Sequence, residues 1–352
     1  MKRTILFLAA FVCCSLGVFA QTDLVATLSH GSKLTTYHGA DGLSKAYDAA
    51  EAGDVITLSP GVFNAVNIEK AITVRGAGMM PLESNGYVST NLSGDFTINA
   101  PTSSSSVPTL EGLLVLNNVN VNGESLAPVN LMKCRFQGGV TGLGIYMNAT
   151  YCVFASRLYA KVQGTEIYSY RNTTLNCINC VINGAVCDGL YFSSVGKIQA
   201  TNCIVNAADY ESYCTFNNCL ILSTVGNTTI PLANTCSAHS CYGIDTNQTP
   251  DLFANINDTS NKMLEGSGDD VVQSVFKTLA SWSYFSYDFQ LTETFELTDA
   301  AAATYLGDDG KQVGIYGGPT PFNPVPNNPQ VRKFVVDSST ESGKLKVKIN
   351  VE

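Results

Sequence analysis

Asn179-Cys180-Val181-Ile182, Asn202-Cys203-Ile204-Val205 and Asn218-Cys219-Leu220-Ile221 are one phrase written three times. Lys133-Cys134-Arg135-Phe136 and Tyr151-Cys152-Val153-Phe154 repeat it with another residue before the cysteine. Asn118-Val119-Asn120-Val121 fits the frame with Val in the Cys slot, and the steps between slots are 15, 18, 28, 23 and 16 residues. Repetition at such periods marks a solenoid, in which each unit buries its apolar face on the next. Side chains of a strand alternate between faces, so the Cys and the apolar residue share one face and the residue between them takes the other. A slot that accepts five Cys and one Val is interior and small. The pattern predicts thiols stacked as a ladder at the ~4.8 Å strand spacing. Asn tolerates positive φ, so Asn118, Asn179, Asn202 and Asn218 are expected to line one sharp corner.

Outward from the ladder, the N-terminal side reads as a helix followed by short strands. Leu43, Ala46, Tyr47 and Ala50 recur at helical spacing over 41–53, with Gly53 placed to end the helix. Asp54-Val55-Ile56-Thr57-Leu58, Val66-Asn67-Ile68 and Ala71-Ile72-Thr73-Val74-Arg75-Gly76 follow, read as short alternating strands stopped by Gly or Pro. The run from Gly53-Asp54-Val55 to Ile72-Thr73-Val74-Arg75-Gly76-Ala77-Gly78 resembles the opening of right-handed parallel β-helix proteins of the pectin-lyase-like class. That resemblance covers most of 40–318. It implies an all-β, right-handed parallel β-helix with an N-terminal capping helix, since an uncovered end would expose free backbone groups. In that class Asp288-Phe289-Gln290-Leu291 and Gln312-Val313-Gly314-Ile315-Tyr316-Gly317-Gly318 resemble the last rungs.

The domain reading follows. Residues 1–20 have a basic start, an apolar core and small residues before Gln21, as in a secretory signal peptide. Export, to the periplasm, the outer surface or the medium, is expected. The β-helix domain spans 21–318, with an excursion over 159–172 in the long step after Cys152 and a packed helix at about 269–281. Five prolines between Pro319 and Pro329 suggest an extended linker over 319–331. Residues 332–352 alternate as a β-hairpin, with Lys344, Lys346 and Lys348 on one face. A lone hairpin is marginal in water, so it should dock on its own domain or add to a partner's sheet edge.

The net charge of −9 becomes −11 if Lys2 and Arg3 are removed with the leader, which argues against nucleic acid and unassisted polyanions. No segment after the leader is apolar for long enough to span a membrane. Among cysteines, Cys177-Ile178-Asn179-Cys180 has the spacing of a zinc half-site, but residues three apart in a strand face opposite ways, and no metal is expected. Cys236 and Cys241 lie outside the repeated slot and are candidates for a disulfide. His30 and His38 belong to the approach to the helix, and His239 has no motif around it.

Enzymes of the resembled class use carboxylates: lyases with a bound Ca²⁺ and a basic residue, glycosidases with a carboxylate pair. Asp188, Asp209 and Glu211 are the candidate catalytic acids, with Arg157, Lys161 or Arg171 as basic neighbours; Ca²⁺ is implied only by the lyase alternative. The class's Gly-His-Gly, Arg-Ile-Lys and Trp-Ile-Asp-His phrases are absent. Sixteen tyrosines suggest ring stacking on sugars, with Tyr159, Tyr168, Tyr170 and Tyr191 as candidates. The favoured reading is a non-catalytic exported protein that binds a polysaccharide or a surface protein along one solenoid face. A lyase or hydrolase, and a structural spacer or adhesin, are the alternatives.

Overall fold

The structure is a computed structural model. It describes residues 24–80, 89–100, 106–123, 128–161, 172–187, 196–208, 213–223, 231–245, 251–264, 266, 268–279, 293–327, 331–336 and 347–351. Short strands pair in parallel with the strand one turn later, which makes a solenoid-like β fold with three stacks. The first sheet runs Val55–Leu58, Thr73–Arg75, Thr109–Glu111, Pro128–Met132, Tyr146–Thr150, Thr173–Ile178, Gly196–Thr201, Cys214–Asn217 and Ser237–His239. The second runs from Gly61–Asn64 through Arg135–Phe136, Val153–Phe154 and Ile204–Ala208 to Lys262–Met263. A third, shorter stack comprises Phe96–Ala100, Val119–Gly123, Val140–Leu143, Leu158–Lys161 and the end of Val181–Cys187.

One corner joins the first and second stacks, and its backbone is set by the repeated phrase. Lys133, Tyr151, Asn179, Asn202, Asn218 and Ser240 all hold φ between 50° and 57°. Gly112, at φ 66°, takes the same place one turn earlier. The left-handed residue turns the chain sharply, so the next side chain points inward. Cys134, Cys152, Cys180, Cys203 and Cys219 are all fully buried, as the ladder requires. Two assignments change. Cys241 belongs to the ladder, buried after Ser240. Asn118 does not belong to this corner: its N–H donates to Asp95 Oδ1 and its Oδ1 accepts from Gly139, at the junction of the second and third stacks. Cys177 and Cys180 both face the interior, because the left-handed Asn179 between them reverses the alternation expected of a strand. Cys236 and Cys241 are not joined to each other in this structure, contrary to the expected disulfide.

The N-terminal end differs in detail from the sequence reading. Val25–His30 and Lys33–His38 form an antiparallel hairpin that pairs antiparallel with Val55–Leu58, an element the sequence reading missed. The helix spans Gly42–Ala49, with Leu43 and Ala46 buried in the main core. It ends before Gly53 because Lys70 Nζ caps it, donating to the carbonyls of Tyr47, Asp48 and Ala50 at 2.8, 3.2 and 2.9 Å. His30 Nδ1 meets Asp54 Oδ1 at 2.9 Å.

Among its described residues, the C-terminal third does not continue the rungs. Lys262–Met263 is the last strand of the stack, and Gly268–Val275 is a helix shorter than the expected 269–281. Residues 288–291 lie outside the described residues. Residues 305–327 instead lie along the outside of the corner, running back toward its N-terminal end. Asn218 Nδ2 donates to Asp308 Oδ1 at 2.7 Å, Asn179 Nδ2 to Ile315 O at 2.7 Å, and Tyr151 Oη to Thr320 O at 3.2 Å. Lys133 Nζ donates to Val325 O at 2.6 Å and to Asn327 Oδ1 at 2.8 Å. The Asn327 N–H donates to Glu111 Oε1, while Arg75 Nε pairs with Glu111 Oε2 at 2.9 Å. Burial lowers the Lys133 ammonium from its ordinary pKa, against the opposing pull of the Glu111 carboxylate. Gly318, at φ 72°, is required here: a Cβ would come within 2.2 Å of Asn202 Nδ2.

This segment seals a second core. Val153, Val181, Ile204, Leu220 and Tyr242, the middle residues of the repeated phrase, are buried against Val271, Val272, Val313, Ile315 and Phe322. Residues 312–318, expected as rungs, and 319–327, expected within a linker, are therefore packed wall. Val331–Val336 and Val347–Val351 pair antiparallel as a two-stranded sheet.

Candidate functional site

With the second stack covered, the first sheet keeps an open polar face. Four residues before each ladder cysteine, one position recurs: Asn130, Asn148, Asn176, Gln199, Thr215 and Ser237. Parallel pairing places them side by side. Asn148 Nδ2 donates to Asn130 Oδ1 and Asn176 Nδ2 to Asn148 Oδ1, both at 3.2 Å, and Ser237 Oγ donates to Thr215 Oγ1 at 3.2 Å. Each bridging amide uses one N–H along the column, so donors and acceptors remain for solvent or a ligand. Tyr146 and Ile178 flank the column, 39% and 44% exposed.

At its C-terminal end the face opens into a pocket of ≈ 400 Å³. Asn217, Asn234, Ser237, His239, Asn255, Asn257 and Asp258 supply the polar lining, and Cys236, Ala238 and Ile256 the apolar part. Its origin is local. Asn257 stands four residues before Asn261, in the column's register, but 256–258 form no strand. The last turn leaves the sheet and the gap becomes the pocket.

His239 sits at the pocket edge between carboxylates. Its Nδ1 lies 2.7 Å from Asp258 Oδ2 and its Nε2 3.7 Å from Asp308 Oδ2. Ser260 Oγ donates to Asp258 Oδ1 at 2.6 Å and its N–H reaches the same oxygen at 2.9 Å. The Ser260 and His239 hydrogen bonds pull Asp258 down to about 2. The bond to Asp258 raises His239 in turn. Asp258 is therefore ionised and fully engaged near neutral pH, which suits it to orienting the imidazole and not to protonating a leaving group.

Most residues singled out from sequence fall elsewhere. Asp188, Asp209, Glu211, Tyr168, Tyr170 and Tyr191 lie outside the described residues. Tyr159 is half-buried on the third stack, its ring 5.1 Å from Lys161 Nζ, and does not share the face of the amide column. The sequence reading missed the amide column, whose signal was the position four before each ladder Cys, and the His239, Asp258, Ser260 and Asp308 group. That group joins three separate chain segments, so no spacing announces it. Searches against protein-family models, curated proteins and solved structures find no match.

Proposed function

We propose that this chain is an exported right-handed parallel β-helix of the pectin-lyase-like type that binds a neutral glycan along its first sheet without cleaving it. The helix at Gly42–Ala49 serves as its N-terminal cap. The observation that carries the reading is the amide and hydroxyl column from Asn130 to Ser237 along one face of the first sheet. Amides offer paired donors and acceptors to hydroxyls without charge, and the overall net charge of −9 disfavours acidic polymers.

Retention on immobilised neutral and acidic polysaccharides, with product analysis of the same mixtures, tests this. Neutral polymers should be retained intact, and the double variant Asn148→Ala/Asn176→Ala should lose retention roughly tenfold, about 1.4 kcal/mol. Cleavage products that vanish in Asp188→Ala would favour the lyase or hydrolase alternative. Absence of retention on every polymer would leave a protein partner.

A further inference from the structure

We propose that the His239 pocket is a discrete sugar subsite that takes the last one or two neutral units of a glycan lying along the amide column. This rests on the glycan reading above and adds where the chain ends. The position follows from the register: the column reaches Ser237, the last paired strand of the first sheet, and the next turn splays away at 256–258. After Lys262–Met263 the chain leaves the stack for the helix at Gly268–Val275, and among the described residues no further rung continues the track.

The lining suits a sugar. A volume of ≈ 400 Å³ lies in the range of small-ligand sites. Among the described residues the side-chain amides of Asn217, Asn234 and Asn257 make no hydrogen bond within the protein, so their donors and acceptors are available. Asn255 Nδ2 is committed to Leu232 O at 3.0 Å, which leaves its oxygen as an acceptor. Cys236, Ala238 and Ile256 give a small apolar floor for the C–H face of a ring. Charge selects the class. The His239 ring lies between Asp258 and Asp308, so a uronate or sulfated unit would meet two carboxylates. Neutral hexoses and N-acetylhexosamines meet no such penalty.

The test is calorimetric titration of the whole protein with glucose, galactose, mannose, N-acetylglucosamine and their β-linked disaccharides, beside a long neutral glycan. At least one neutral disaccharide should bind saturably. That binding should weaken tenfold or more in Asn217→Leu and Asn257→Leu, which fill the pocket from a half-buried and an exposed position, and should be unchanged in Asn148→Ala/Asn176→Ala. The long glycan should displace the disaccharide. If the long glycan binds but no short sugar does, or if short-sugar binding ignores Asn217→Leu and Asn257→Leu, the subsite is overturned while the face reading stands. If a long glycan fails to displace a bound disaccharide, the shared track is overturned. If neither binds, both readings fail.

Discussion

Cys180 Sγ accepts the backbone N–H of Cys152 at 3.4 Å and donates to the Ile178 carbonyl at 3.3 Å. The pattern repeats at Cys203 and Cys219, so each thiol satisfies a donor one turn earlier that lies inside an apolar barrel. Valine could fill the slot but could not accept, which explains why Cys dominates where an unpaired buried N–H would be costly. At the end of the ladder Asn261 takes over: its Oδ1 accepts from Cys241 N–H at 3.0 Å, and its Nδ2 donates to Ala238 O and Asp258 O. Cys203→Ala should therefore destabilise by about 1–3 kcal/mol in denaturant unfolding, the cost of orphaning the Cys180 N–H. Native ladder thiols should resist alkylation, since burial raises their pKa values. The five ladder Cys were legible because identical residues recur; Asn261 was not, because the role passes to a different residue type. His239 is a second residue-scale case. Its folded pKa is raised above 6.5, so its contribution is present below that value and is lost as pH rises through the folded pKa. Asp258, lowered from 3.8 to about 2, contributes above 3.8 and loses this as pH falls through about 2. The pair therefore helps most between about pH 4 and 6.5. Both groups are exposed, so the effect on stability is small and the clean readout is an NMR titration. His239 should titrate above 6.5, and Asp258→Asn should bring it down.

The elements that misled the sequence reading are those at the C-terminal end. Five prolines between Pro319 and Pro329 read as a linker because proline removes donors and extends the chain. Extension is what a segment needs to lie along a straight corner, and the corner side chains supply the donors. Lys133, Tyr151 and Asn179 each give a hydrogen bond to a backbone carbonyl of residues 315–325. The same left-handed residues thus turn the chain inward and hold the returning segment outside, a double role that composition alone does not show. The helix at Gly42–Ala49 was legible from its apolar spacing, but its end was not, because Lys70, well beyond it in sequence, sets it. Lys133→Met should cost about 1–3 kcal/mol, since Val325 O and Asn327 Oδ1 lose the charged donor that holds them against the corner. Ending the chain after residue 304 should do more. Val153, Val181 and Ile204 would lose Val313, Ile315 and Phe322 as cover, and the truncated protein should bind a hydrophobic dye and aggregate. If the truncated form stays monodisperse and dye-free, the segment is not part of the core.

For the whole molecule, parallel stacking turns single positions into lines. A residue placed four before the ladder Cys becomes a column, and the number of turns sets the column's reach. The stack was readable from sequence because its phrase recurs across unequal steps, whereas Asp188, Asp209 and Glu211 belong to no repeated phrase and so could be named but not joined to a site. From Pro128–Met132 to Ser237–His239 the first sheet has six strands, hence five steps of ~4.8 Å and about 24 Å of amide and hydroxyl face. A glycan that follows this column gains contacts with each added unit until it outruns the face. Affinity for a series of neutral linear oligomers should therefore rise with length and level off once the chain spans about 24 Å. With Asn148→Ala/Asn176→Ala the rise should be lost for the longer members while the shortest are unaffected, because those reach only the His239 end. Asn217→Leu should do the reverse, lowering affinity for short and long members by a similar factor. A flat response to length in the unsubstituted protein would mean that the column is a packing feature of the sheet and not a binding track.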